Sequence, residues 1–166
     1  ENGVCSEVIA PAPGLDEGLI ESSRRLSRLI AQGVGIVGVL AIEVFLMPDG
    51  SLLVNELAMR PHNSGHVFTE LSVTSQFEQH LRAVADLPLG ATDLVQATGV
   101  MVNVFGEISA DGKERAWSLV PEAKIHDYAK RPRTGRKAGH VVVVGDESES
   151  LLERASQARK AIAESG

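Results

Sequence analysis

Cysteine is nearly absent. Cys5 is the only one in 166 residues, so an internal disulfide framework is excluded and the composition fits a reducing cytoplasm. No apolar run approaches the roughly 20 residues of a membrane-spanning helix. The longest, VGIVGVLAI, contains two glycines and stops at Glu43. No segment reads as a signal peptide, and there is no internal repeat or low-complexity tract. The net charge of −6 argues against a general nucleic-acid binder, although basic residues gather at positions 130–137. With 43% hydrophobic and 23% charged residues, the chain resembles an ordinary globular protein with one domain or two small ones. It opens ENGVCSEVIA, without methionine, and enters a strand-like segment at once. That start predicts the C-terminal part of something longer.

The apolar spacing predicts alternating helices and strands. Residues 4–10 read as a strand, and LDEGLIESSRRLSRLIAQG as a helix ending at Gly33. IVGVLAIEVFLM and SLLVNELA flank PDG, and Asp-Gly between apolar runs signals a hairpin. SQFEQHLRAVADL reads as a helix with Ser75 and Glu78 at capping-box spacing and Phe77, Leu81 and Val84 as its buried stripe. Short strands are expected at 99–105, 117–120, 123–129 and 140–144. A last helix follows over 148–164, with Leu151, Ala155, Ala158 and Ile162 on one face. The expected organisation is α+β. Residues 1–90 form a helix, hairpin, helix unit. Residues 91–166 form a small β-rich unit closed by a helix.

A two-residue turn at Asp49-Gly50 places Phe45 opposite Val54, Met47 opposite Leu52 and Glu43 opposite Glu56, with each pair on one face. Two carboxylates about 5 Å apart repel by about 3 kcal/mol at an effective dielectric near 20. A divalent cation between them turns that repulsion into binding, and magnesium accepts one or two carboxylates together with phosphate oxygens. The competing structural reading is a protonated or splayed glutamate, or a bulge that breaks the register.

The next stretch, NELAMRPHNSGH, is unusually polar. Asn55 points away from Glu56 if the strand is regular. Arg60 offers a planar fork for oxyanions, His62 can donate, accept or shuttle a proton, and Asn-Ser-Gly supplies turn chemistry and free backbone N–H groups. This set suits a small oxyanion beside a metal. His62 and His66 are four apart, but Pro61 and Asn-Ser-Gly argue against a helix that would align them on zinc. His66 reads as a loop-holding residue and His80 as solvated surface.

NELAMRPHNSGH, TSQFEQHLRAVADLPLG and KRPRTGRKAGH, in that order, resemble the C-terminal half of N5-carboxyaminoimidazole ribonucleotide synthases, ATP-grasp ligases of purine biosynthesis. The resemblance runs from EVIAPAPG nearly to the end. It implies the C-terminal half of an ATP-grasp domain, an antiparallel sheet with helices, followed by a small β-rich C-terminal domain. It also implies ATP-dependent carboxylation of 5-aminoimidazole ribonucleotide by bicarbonate through carboxyphosphate. Carried onto this chain, Glu43 and Glu56 hold Mg2+, or Mn2+ in its place, on the ATP phosphates, with Asn55 beside them at the nucleotide. Arg60, His62 and Asn63 grip bicarbonate or carboxyphosphate. Lys130 and Arg136, in the basic segment KRPRTGRK, bind the ribonucleotide 5′-phosphate, and Gly135 lets backbone approach a ligand. A cytoplasmic homodimer acting on small molecules, with no nucleic-acid or membrane partner, is implied. Met59, Ala129 and Thr134 depart from the family's usual Pro, Gly and Pro. The first half of the ATP-grasp fold is absent, so the chain alone is expected to be inactive. Competing readings are another ATP-grasp ligase, formate-using or biotin-carboxylating, and a non-catalytic nucleotide-binding module.

Overall fold

Valine-rich stretches that alternate poorly between polar and apolar predict strands covered on both faces, and the computed structural model is built around two of them. It describes residues 4–131 and 133–164. In chain order the elements are β1 (Glu7–Ala10), α1 (Glu17–Val34), β2 (Ala41–Leu46), β3 (Leu52–Ala58), a 3₁₀ helix (Asn63–Val67), α2 (Phe68–Leu71), α3 (Gln76–Val84), β4 (Thr98–Gly106), α4 (Ala110–Leu119), β5 (Lys124–Asp127), β6 (Arg133–Gly145) and α5 (Ser148–Ala163). The α+β class is as expected.

Four strands form one antiparallel sheet in the order β1-β4-β6-β5, and β2-β3 stand apart as a hairpin. The larger sheet draws β1 from before residue 90 and the other three strands from after it. One face carries Val100, Val102, Val104, Val141 and Val143 against α4 and α5. The four residues expected on the inner face of α5, Leu151, Ala155, Ala158 and Ile162, are all buried there. The opposite face carries Ala10, Met101 and Val142 beneath Val67 and Leu71, which arrive from the 3₁₀ helix and α2. Gly99 makes this approach possible, because a Cβ there would press into Val67 and Leu71.

The second face changes character along its length. Asn103, paired with His140, and His140, paired with His126, continue it as a polar row across three strands. They sit two residues from Met101 and Val142 and therefore on the same side. Asn103 and His140 are both buried.

Several expectations need correction. Residues 117–120 are not a strand: Trp117 to Leu119 end α4. The Ser109 hydroxyl caps that helix, accepting from Gly112 N at 3.0 Å. The Trp117 indole then donates to the Ala123 carbonyl at 3.0 Å. Helix α1 runs through Gly33 and ends instead at Gly35, whose φ of 61° suits glycine. Helix α3 starts at the Ser75 cap as expected, but its stripe is not buried: Phe77, Leu81 and Val84 are 44%, 65% and 53% exposed. Helical spacing reveals an apolar face without revealing what covers it. His80 is not free surface, since its Nδ1 accepts from Val39 N at 3.1 Å.

Candidate metal and anion site

The hairpin places the two glutamates opposite one another by an unexpected route. Its loop has three residues, Pro48-Asp49-Gly50, with Met47 N donating to Ser51 O at 2.9 Å. Gly50 takes the left-handed conformation at φ 82° that such a loop requires. The Asp49 carboxylate accepts from Ser51 N at 2.9 Å and Ser51 Oγ at 2.6 Å. The longer loop shifts the outer ladder to Val44–Val54, Phe45–Leu53 and Leu46–Leu52, so the expected Phe45–Val54 and Met47–Leu52 pairs do not form. A bulge at Asn55 then restores the expected register, and Glu43 pairs directly with Glu56.

The bulge also re-aims Asn55. In a regular strand its side chain would leave the glutamate face, but an extra residue on one strand brings two neighbours to the same side. Asn55 Nδ2 donates to Glu43 Oε2 at 3.2 Å.

His62 completes the cluster. Its Nε2 lies 3.6 Å from Glu43 Oε1 and 3.4 Å from Glu56 Oε1. One ligand atom from each of the three residues falls within 4.8 Å of the others. The glutamate side chains are 37% and 54% exposed, so the cluster opens to solvent, whereas the His62 side chain is only 11% exposed. Two opposed carboxylates suit a divalent cation, and His62 lies against both of them.

His62 is held from three sides. Its Nδ1 meets Ser64 Oγ at 2.9 Å. The Gln76 amide clamps its backbone: Oε1 accepts from His62 N at 2.9 Å and Nε2 donates to His62 O at 2.8 Å. Gly65 leaves room for that amide, because a Cβ there would strike it. The backbone N–H groups of Ser64 and Gly65 are not free, contrary to expectation. They donate to His62 Nδ1 at 3.4 Å and His62 O at 3.0 Å as the 3₁₀ helix begins. His62 and His66 consequently diverge. His66 stacks on His140 with centroids 4.6 Å apart and 3° between planes, and His140 stacks in turn on His126 at 4.5 Å.

Asn63 faces the polar row of the sheet. It exchanges two hydrogen bonds with Asn103, at 3.0 and 2.9 Å, and accepts from Lys137 Nζ at 2.9 Å. Tyr128 Oη meets His140 Nδ1 at 2.8 Å, and Glu70 meets His126 at 3.0 Å. Burial pushes the His140 imidazole down to about 3, with the neighbouring His66 and His126 adding to it. Burial likewise pushes His66 down to about 4, with help from nearby His and Lys charges, and raises the Tyr128 phenol. Both of these imidazoles are therefore neutral near pH 7.

The other expected residues lie around this centre. Arg60 is exposed, and its guanidinium donates to the Pro61 carbonyl at 3.0 Å. Lys130 lies over the Tyr128 ring, 4.6 Å from its centroid. Arg136 is exposed on β6, and Pro132, within the basic segment, lies outside the described residues. Ala129 adopts φ 51°, in the left-handed region. Sequence reasoning assigned no role to Gln76, Asn103, His126, Tyr128, Lys137 or His140. The one available signal was Asn103, a lone polar residue within GVMVNVF.

The chain is similar to known proteins along nearly its whole length. Residues 1–77 match the ATP-grasp domain family, and residues 99–154 match the phosphoribosylaminoimidazole carboxylase C-terminal domain. The N5-carboxyaminoimidazole ribonucleotide synthase of Mycobacterium tuberculosis is 48% identical over 163 residues, covering 95% of this chain and 38% of that protein. The crystal structure of N5-carboxyaminoimidazole ribonucleotide synthetase from Thermus thermophilus superposes with a TM-score of 0.86 at 36% identity, over 98% of this chain and 44% of that one. The synthase from Aspergillus clavatus, in complex with ADP and 5-aminoimidazole ribonucleotide, superposes with a TM-score of 0.85 at 32% identity, over 98% of this chain and 45% of that one. The chain thus spans about 38% of the length of these curated relatives.

Proposed function

Because this chain belongs with the N5-carboxyaminoimidazole ribonucleotide synthases along 95% of its length, we propose that it forms part of an ATP-grasp ligase that carboxylates 5-aminoimidazole ribonucleotide in the cytoplasm. In that reaction a bicarbonate oxygen attacks the γ-phosphorus of ATP and ADP leaves. The exocyclic amine of the ribonucleotide then attacks the carboxyl carbon of carboxyphosphate, phosphate leaves and the amine gives up a proton. Glu43 and Glu56 would hold Mg2+ or Mn2+, with Asn55 beside them at the nucleotide. What a bound cation supplies is charge neutralisation at the ATP phosphates. Arg60, His62 and Asn63 line the acceptor side, where positioning of an oxyanion dominates the barrier. Lys130 and Arg136 receive the ribonucleotide 5′-phosphate. The units 1–90 and 91–166 serve these two halves of the site, and the full-length protein acts as a homodimer.

The observation that carries this reading is the directly opposed Glu43–Glu56 pair with His62 Nε2 within 3.6 Å of both. The test is ADP release by the full-length protein with bicarbonate, with and without the ribonucleotide. Ribonucleotide-dependent release is expected. Release that instead requires formate or biotin would assign the chain to another ATP-grasp ligase.

A further inference from the structure

Asn103 is fully buried in the middle of an otherwise apolar strand. An amide in that position is costly unless every donor and acceptor is matched. Asn103 is matched completely. Its two Nδ2 protons go to Cys5 O at 3.0 Å and Asn63 Oδ1 at 2.9 Å, and its Oδ1 accepts from Asn63 Nδ2 at 3.0 Å. Its backbone N donates to Ser6 O at 2.8 Å. The orientation of the amide pair is not arbitrary. Lys137 can only donate, so the Asn63 atom it meets at 2.9 Å must be oxygen, and Asn103 must present its NH2 to that same atom.

Asn63 directly follows His62, which faces the two glutamates. Lys137 directly follows Arg136 in the basic segment. The Asn103–Asn63–Lys137 triad therefore links the loop that carries Arg60 and His62 to β6, the strand that carries Arg136. The His66–His140 stack, at 4.6 Å, ties the same loop to the same strand again, three residues further along each.

We propose that Asn103 is a positioning residue for the carboxylation: paired with Asn63 beneath Lys137, it sets the loop 60–66 relative to the ribonucleotide-binding strand without touching substrate. Asn63, on this account, spends its amide on Asn103 and Lys137 and acts through the loop, with Arg60 and His62 left to meet the oxyanion. The inference rests on the ribonucleotide-carboxylating reading given above.

The experiment compares the full-length protein with Asn103→Leu, Lys137→Met, Lys137→Arg and the Asn103→Leu/Lys137→Met double variant. It measures KM for ATP and for bicarbonate, kcat, and the melting temperature. Each of the two disruptive single variants is expected to raise KM for bicarbonate at least about fivefold and lower kcat about tenfold, with KM for ATP within about twofold. The double variant is expected to lose no more than about twofold beyond the worse single variant, because both act through one linkage. Lys137→Arg, which keeps a donor for Asn63 Oδ1, is expected to retain activity within about threefold. Should Asn103→Leu fail to fold, Asn103→Ser takes its place in the same double-variant comparison with Lys137→Met. The proposal is overturned by single variants whose KM for bicarbonate is unchanged, or by losses that multiply, which would mean that Lys137 meets substrate directly. If the unsubstituted protein shows no ribonucleotide-dependent turnover, the function itself fails and this inference with it. An active wild type with unaltered variants sinks this inference alone.

Discussion

Glu43 and Glu56 face one another across the β2–β3 ladder, and His62 Nε2 lies 3.6 and 3.4 Å from their carboxylates. Like charges in directly opposed positions destabilise a hairpin. This hairpin also exposes much of its apolar surface, with Phe45 and Leu53 more than half exposed. The pairing is therefore poorly explained as a device for hairpin stability and well explained as a cation site. Gln76 holds the His62 of this cluster in place, and Gln76, Ala129 and the buried imidazoles each yield a measurable consequence.

Gln76 holds both backbone polar groups of His62, which is itself only 9% exposed. Truncation strands the His62 N–H in a site with little water and leaves His62 O with Gly65 N as its remaining partner. Gln76→Ala is expected to lower unfolding stability by about 2 kcal/mol, read as a shift in the urea midpoint at constant slope. An unchanged midpoint would mean that solvent replaces the clamp at no cost.

Ala129 occupies the left-handed region at φ 51°, with its N–H donating to Asp127 Oδ1 at 2.8 Å. A Cβ in that conformation costs about 1–2 kcal/mol, partly offset by the greater chain entropy that glycine loses on folding. Ala129→Gly is expected to raise stability by about 0.5–1 kcal/mol, with a matching rise in melting temperature. A fall would show that the turn is not strained.

Acid should weaken the fold before the carboxylates titrate. His66 and His140 sit at about 4 and about 3 in the folded chain because burial disfavours their cations, against about 6.5 when unfolded. Below pH 6.5 the unfolded chain binds more protons than the folded one, so stability is complete above that value. It declines as pH falls from about 6.5 towards 4 and 3, by a few kcal/mol in total. Denaturant titrations between pH 7.5 and 4.5 check this, and His140→Gln should flatten the slope. A flat profile in the unsubstituted chain would contradict the burial of both rings.

The sequence disclosed most of the elements and the two glutamates, because strand alternation and helical spacing are local properties. It disclosed the glutamate pairing through two compensating deviations. The three-residue loop at Pro48-Asp49-Gly50 moves the register by one, and the bulge at Asn55 moves it back. A regular hairpin thus gave the right partner for Glu43 and the wrong direction for Asn55. The helix at Ala110–Leu119 was hidden because Gly112 weakens its propensity, and the Ser109 cap that starts it carries little weight beside the apolar run that follows. The polar row of Asn103, His140 and His126 was illegible for a different reason. Those residues lie far apart in sequence and meet only when β4, β6 and β5 pair. Exposure of Phe77, Leu81 and Val84 could not be read either, since amphipathic spacing is the same whether or not a face is covered.

The most direct test of the central claim is a Mn2+ titration of the full-length protein with ATP present, followed by electron paramagnetic resonance of the free ion. Glu43→Gln and Glu56→Gln remove one charge each while keeping the shape of the side chain. Each is expected to weaken Mn2+ binding by at least about tenfold, with the melting temperature held or raised by relief of like-charge repulsion. Binding equal to that of the unsubstituted protein in both variants would contradict a cation shared between Glu43 and Glu56.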